Sequence, residues 1–303
     1  MAPHRLMRSS LALTIDILET ANRVSKHPIF EIDVASASDF IAEGAKHSVV
    51  ILPGLGIASS TEFDELLRDP ESHTLILLLK RLRAQDPKRL FATSCSGVVI
   101  FAEAGLTNKR KVTTSWWLAP LLKARYPEVN LSSRELIVDA GDILTAGAAF
   151  AQSDLMLNVV ERFASKRTAH QCRRILLIDD RTSQFPYMDT AMLIASDPPF
   201  RLAETFVSRH ISEDLNVSQL ATAAKLGQRT FARRLALVTS LTPIQFLQRM
   251  RVDKAVQLAI QTRLSNEEIA VRVGYSDGSA LRRVVRNHTG KTLEDHRRMD
   301  LKG

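Results

Sequence analysis

Two places in this sequence combine reactive or charged side chains at spacings that chemistry can use. The first is Cys95 in ATSCSGVVIFAEAGL (92–106), where a strand-like run ends and Ser96–Gly97 opens a helix. A thiol on such an elbow is exposed at a strand end, and the N-terminal amides of the following helix favour its thiolate. That is how an α/β enzyme presents a nucleophile. The competing reading is a small buried residue at a tight turn. The second place is a duplicated basic helix. In QRTFARRL (228–235) Phe231 and Leu235 share one helical face, leaving Gln228, Arg229, Thr230, Arg233 and Arg234 on the other. In SDGSALRRVVR (276–286) Leu281 and Val285 turn inward, leaving Ser276, Asp277, Gly278, Ser279, Arg282, Arg283 and Arg286 outward. Such faces suit a helix in the DNA major groove, with N-terminal residues at base edges and arginines on guanine or phosphate. A helical bundle with solvated arginines is the alternative for either helix alone; the tandem arrangement favours DNA.

The elements that must position these arginines repeat as well. VSQLATAAKLGQRTFARRLALVTSLTP (217–243) and LSNEEIAVRVGYSDGSALRRVVRNHTGKT (264–292) each hold a cap residue, Ser218 or Ser265, and then an amphipathic helix. The inward faces are Leu220, Ala221 and Ala224 in one copy, and Ile269, Ala270 and Val273 in the other. Turns at Leu226–Gly227 and Gly274–Tyr275 lead to the second helices, which gives two helix-turn-helix units. Between the copies, Thr242 caps and Pro243 begins a helix running to about residue 262. A helix of that length, about 28 Å, can hold two recognition helices about 34 Å apart, one turn of duplex. Charge agrees: residues 201–303 hold 18 Lys and Arg against 10 Asp and Glu, whereas residues 1–200 hold 23 of each. The whole excess lies in the last third, which points to an anionic partner for that part.

Upstream, strand-like stretches at 29–36, 48–54, 89–95, 111–116 and 135–141 alternate with helical patterns at 59–67, 72–84, 97–104, 118–124 and 149–165. The fold class is therefore α/β: an N-terminal, mostly parallel α/β sandwich followed by an all-α domain with two helix-turn-helix units. Proline-rich ASDPPF places the boundary near 196, giving domains 1–195 and 196–303, with Asp197 capping the next helix. An open parallel sheet ordinarily begins with a strand, yet this chain begins almost directly in a helix around 10–23. Either the sheet does without that strand or the true start lies upstream.

Composition excludes several classes. There is no apolar run of membrane-spanning length, and Asp16 and Glu19 interrupt any signal-peptide pattern. Two cysteines, Cys95 and Cys172, form no disulfide framework. A cytoplasmic protein without membrane contact is the expectation. No metal-ligand cluster and no phosphate loop is present, since Gly54–Leu55–Gly56 is too short for a dinucleotide fingerprint. No cofactor and no metal are therefore expected.

The run from 217 to about 298 resembles the DNA-binding domain of the AraC/XylS family, through RTFARRL, TPIQFLQRMRVDKAVQL and EEIAVRVGYSDGSALRRVVRNHTG. It departs from that pattern at Gly227, Leu281, Val285, Leu293 and His296. Residues 10–195 resemble the PfpI-like, class I glutamine-amidotransferase-like domain of GlxA-type regulators. The resemblance is carried by the Cys95 elbow, VILPGLG, EAGLTNKRKVTTSWW, LIVDAGDILTAGAAFAQSDLML and Gln184. In that superfamily a histidine commonly serves the cysteine, and an acid often comes from the first helix; here those slots hold Ser115 and Ser10. The resemblance thus implies no catalytic residue and a pocket kept for binding, with Cys95, Gly54, Leu55, Ser115 and Trp116 at the strand ends. It implies a bacterial regulator of promoter DNA, usually a homodimer, answering to an unknown small-molecule effector and contacting RNA polymerase if an activator. A cysteine-dependent hydrolase or amidase with an appended DNA-binding domain is the alternative.

Overall fold

The computed structural model describes residues 5–37, 39, 47–195 and 197–300. Contacts divide the chain into two units, Met1–Gln184 and Phe185–Gly303. The division falls ahead of the expected boundary at 195/196, because the turn Phe185–Tyr187 and a short helix, Thr190–Ile194, pack on the C-terminal helices.

In the first unit α1 (Arg8–Val24) precedes β1 (Val49–Leu52), α2 (Ser60–Arg68), α3 (Pro70–Gln85), β2 (Leu90–Ser94) and α4 (Gly97–Glu103). There follow β3 (Lys111–Val112), α5 (Ala119–Arg125), β4 (Asn130–Leu131), β5 (Ile137–Asp139), β6 (Ile143–Ala146), α6 (Ala151–Phe163) and α7 (Lys166–Ile175). The main sheet runs β1-β2-β6-β5, parallel except for the β5–β6 hairpin, while β3 and β4 form a separate parallel pair. Every residue of β2 is buried, as a strand covered on both faces requires. One core, with Leu52, Leu79, Phe91, Val99 and Phe101, lies under α2 to α5. The other, with Ile17, Leu18, Ala92, Leu144, Leu155 and Val160, lies under α1, α6 and α7. This is a layered α/β unit, as the alternation of elements implies.

Three local expectations differ from what forms. The stretch 29–36 belongs to no strand or helix. The Asn22 side chain takes up its backbone, accepting from Ile29 N (2.7 Å) and Phe30 N (2.9 Å) and donating to Phe30 O (2.7 Å). Only Lys111–Val112 of 111–116 is a strand, since Thr113 N turns to the Thr145 hydroxyl (2.9 Å). Helix α7 was not read from its basic sequence because it buries little beyond Ala169 and Cys172.

The second unit is helical throughout its described residues: α8 (Thr190–Ile194), α9 (Pro198–Arg209), α10 (Val217–Ala223), α11 (Gln228–Thr239), α12 (Pro243–Gln261), α13 (Asn266–Arg272), α14 (Gly278–Thr289) and α15 (Leu293–Asp300). Capping boxes start α10, α12 and α13, through Asn216 with Gln219, Thr242 with Gln245, and Ser265 with Glu268. The first cap is thus Asn216 and not Ser218, which lies inside the helix. The turns of the two helix-turn-helix units are the same. Lys225 (φ 56°) and Gly274 (φ 80°) both adopt the left-handed conformation. The next residue's amide then reaches back to the first helix, Leu226 to Ala221 O and Tyr275 to Ala270 O, each at 2.9 Å. Gly227 has φ −69° and serves only as the α11 N-cap, so the freedom of glycine is unused there.

That geometry has opposite consequences in the two copies. Lys225→Gly should stabilise the protein by about 1 kcal/mol, because it relieves a side chain held in the left-handed region. Gly274→Ala should destabilise it by roughly 1–3 kcal/mol, since an added Cβ would also stand 2.8 Å from Ile211 O. Thermal melts of the two variants check both signs.

Candidate nucleic-acid interface and the Cys95 elbow

The first helix-turn-helix closes on Leu220, Ala221, Ala224, Phe231 and Leu235, all essentially solvent-free. Phe200 of α9 packs edge-on against Phe231, with ring centroids 5.7 Å apart. Fixing Phe231 and Leu235 inward leaves Gln228, Arg229, Thr230 and Arg233 exposed on α11. Arg234 does not join them. Its guanidinium pairs with Asp197 at 2.9 Å and lies over the Phe200 ring, so it braces α11 against the start of α9. The Asp197 side chain accordingly makes no cap bond at the helix it precedes.

The second unit closes on Ile269, Ala270, Val273, Leu281 and Val285, with Leu293 from α15 and Val252, Ala255 and Ala259 from α12. Leu281, Val285 and Leu293, which depart from the AraC/XylS pattern, thus fill a continuous core. His296 instead contacts the Thr289 hydroxyl at 3.1 Å. Ser276, Asp277, Ser279, Arg282, Arg283 and Arg286 are exposed. Gly278 is buried, because the Glu267 carboxylate folds over it and accepts its N–H at 2.6 Å. Asp277 caps the same helix, accepting from Ala280 N at 2.8 Å. That bond and the one from Ser276 hold the Asp277 carboxyl below its ordinary value.

The two recognition helices therefore differ at their N-termini. Helix α11 begins without a side-chain cap and without an acid in its first turn. Helix α14 begins under two carboxylates, Asp277 and Glu267. A free helix N-terminus attracts phosphate; a carboxylate in that place competes for the same amides.

Several arginines of the repeat prove to be internal fasteners. Arg251 donates to Ile211 O (3.2 Å) and Glu213 O (2.6 Å), tying α12 to the loop before α10. Arg249 is almost buried and pairs with Asp253 at 2.9 Å. Arg297 binds Ala259 O (3.2 Å) and Leu264 O, holding α15 to the end of α12. A motif reading does not separate these from the exposed arginines of α11 and α14; their contacts from α12 and α15 do.

In the first unit Cys95 sits on the elbow between β2 and α4 with φ 53°. Gly97 permits the tight approach, since a Cβ there would fall 2.1 Å from the Thr93 hydroxyl. Ser115 Oγ donates to Cys95 Sγ at 2.8 Å, Thr114 Oγ1 to Cys95 O at 2.7 Å, and Leu55 N to Ser96 Oγ at 2.9 Å. Gly54 lies against the cysteine, where an added Cβ would meet Cys95 Cβ at 3.1 Å. The five expected pocket residues are thus brought together, but they are closed over: Trp116, at 8% exposure, is the most open of those four that carry a side chain. Burial pushes the Cys95 thiol up, against the opposing hydrogen bonds from Ser115 and Ser96. Gln184 locks the surrounding strand ends, donating to Thr114 O (2.8 Å) and Ser133 O (2.6 Å) and accepting from Ala148 N (3.2 Å).

Known proteins agree with this geometry. Residues 220–299 match the family described as a helix-turn-helix domain. The chain is 26% identical over 194 residues to the HTH-type transcriptional regulator CdhR of Pseudomonas aeruginosa, covering 63% of this chain and 57% of that protein. It is 21% identical over 307 residues to GbdR, an HTH-type transcriptional regulator of the same species, covering 95% and 80%. It is 30% identical over 163 residues to the HTH-type transcriptional regulator GlxA of Rhizobium meliloti, covering 48% and 47%. The match thus spans little more than half the length of the first of these relatives. By these matches the chain is similar to HTH-type transcriptional regulators, GlxA among them. Its C-terminal unit is a DNA-binding domain.

A buried, neutral thiol bonded to a serine is a poor nucleophile. In the native protein at neutral pH, Cys95 should therefore react with an alkylating reagent at least about tenfold more slowly than a free thiol. Timed labelling with mass mapping, native against denatured, checks this; rapid labelling of native Cys95 would restore the hydrolase alternative.

Proposed function

We propose that this chain is a sequence-specific DNA-binding transcriptional regulator of the cytoplasm, acting on double-stranded promoter DNA and answering to an effector through its N-terminal unit. The observation that carries the reading is the duplicated turn at Lys225 and Gly274. It leads by the same back-bonded turn into two second helices, each with an exposed arginine face. Affinity comes largely from arginine–phosphate contacts, and so falls steeply with salt.

Base reading is assigned to Gln228, Arg229 and Arg233 in one major groove and to Ser279 and Arg283 in the next. Arg282 and Arg286 serve phosphate, and Thr230 and Ser276 serve the groove edges. Because α14 starts under Asp277 and Glu267, α11 carries the larger share of affinity. An effector acting at Cys95, Gly54, Leu55, Ser115 and Trp116 has to displace Trp116 first. A homodimer contacting RNA polymerase is the working arrangement for an activator of this family.

Selection of genomic fragments by the full-length protein, followed by salt titration of the best site, tests the proposal. A two-box site with centres about one helical turn apart is the expected result. Scrambling the box under α11 should weaken binding more than scrambling the other. Salt-sensitive binding with no enriched sequence would sink the regulator reading.

A single pair of variants separates reading from bracing. Arg233→Ala should cost about 1–3 kcal/mol of binding and relax preference at one base position, with an unchanged melt. Arg234→Ala should lower the melting temperature, because it frees Asp197 and uncovers Phe200. Fluorescence anisotropy against a panel of point-substituted sites, with melts of both variants, gives the answer.

A further inference from the structure

Helix α7 of the N-terminal unit ends in a turn without its usual residue. Leu176 N donates to Cys172 O and Ile178 N to Arg173 O, each at 3.0 Å, and the residue between them takes the left-handed conformation. Glycine ordinarily stands there, because a Cβ crowds the neighbouring backbone. Here it is Leu177, with φ 51°. Its own fold gives it little in return: at 90% exposure it is the most open large apolar side chain among the described residues. A side chain that strains its backbone and stays in water calls for a partner outside its own chain.

Beside this knob lies a hole. Val24 of α1 and Gln171, Arg174 and Ile175 of α7 line a shallow depression of about 380 Å³, and Ile175 is itself 59% exposed. Charges of opposite sign stand on its two sides. Arg167 and Arg174, two turns apart on α7, are exposed and make no side-chain hydrogen bond or ion pair among the described residues. Just past the knob come Asp179 and Asp180, both exposed. Asp180 has Arg173 at 3.5 Å, whereas the Asp179 carboxylate has no such neighbour among the described residues.

A surface ordered basic, apolar and acidic is complementary to itself. Half a turn about an axis through the apolar centre lays the acidic end of one copy on the basic end of the other. The same rotation brings Leu177 of each copy to the depression of the other, so the contact is made twice. A patch built for one anionic partner would have no use for two aspartates beside its apolar centre, since like charges across an interface repel.

We propose, building on the homodimer named above, that α7 and its exit turn are the two-fold interface between two copies of this chain. Leu177 is the anchor, seated against Val24 and Ile175 of the partner copy. Asp179 of one copy meets Arg174 of the other. The buried anchor supplies affinity, and the charges at the rim fix the register.

Sedimentation velocity of the full-length protein over a dilution series tests the interface. The parent chain should dimerise, and Leu177→Gly should weaken the dimer at least about tenfold. At a dilution where both are monomeric, the same variant should melt about 2–4 °C higher, because glycine relieves the turn. Arg174→Glu and Asp179→Lys should each weaken the dimer. Combined in one chain they should restore it, since the two reversed charges then meet across the two-fold axis.

A dimer indifferent to Leu177→Gly and to both charge reversals would overturn this interface. It would leave the homodimer standing on another surface and the patch to a different protein. A parent chain that stays monomeric at every concentration would overturn the homodimer and the interface together. A lower melt for dilute Leu177→Gly would also overturn the interface, because Leu177 would then serve its own fold.

Discussion

The C-terminal unit depends on one steric constraint, the close crossing of two helices at a turn of a few residues. Only a left-handed residue, at Lys225 or Gly274, lets the chain reverse direction while the following amide still bonds the first helix. Once that crossing is set, small residues must line it, and Ala221, Ala224 and Ala270 do. The second helix then has no freedom to roll: with Phe231 and Leu235, or Leu281 and Val285, fixed inward, its polar stripe must face solvent. The exposed arginine face is thus a by-product of packing. The protein needs no separate device to aim its arginines.

The same constraint explains which arginines are taken up by internal contacts. Helix α12 links the two crossings, and its charged residues on the inner side tie down what the short turns leave open. Arg251 holds the approach to α10, Arg249 folds back on Asp253, and Arg297 returns from α15 to secure the α12 end. Each guanidinium satisfies backbone carbonyls or a carboxylate that would otherwise be left without a partner near helix ends. A domain with such short helices has a small core, and these bonds supplement it.

How much of this was legible depends on whether the signal was local. The apolar spacing that buries Leu220, Phe231, Ile269 and Leu281 is read within one helix, and so was available from sequence. The burial of Gly278 under Glu267, and the diversion of Arg234 to Asp197, are contacts between separate elements that no periodicity encodes. The turn at Lys225 was missed for a different reason. Gly227 stands beside it and carries the composition of a turn, while the backbone strain falls on a lysine. In the N-terminal unit the strands that became buried on both faces were legible as apolar runs. The segment 29–36 has the same appearance, but its backbone bonds go to Asn22. Cys95 on its elbow was visible as a motif; its closure beneath Trp116 and its bond from Ser115 required the fold.

The Cys95 elbow and the recognition helices are two uses of one structural part, a helix N-terminus presented by a sharp turn. At the elbow, burial wins. The amides at the start of α4 and the Ser115 hydroxyl favour a thiolate, yet desolvation raises the thiol instead. At α14 the opposite balance holds. Solvent surrounds the N-terminus, so Asp277 remains charged and occupies the amides that an anion from DNA would use. Of α11 and α14, α11 is the one whose N-terminus is uncapped and free of first-turn acids. The unequal division of DNA binding proposed for the two helices rests on this difference in what covers each N-terminus, although both turns carry a left-handed residue.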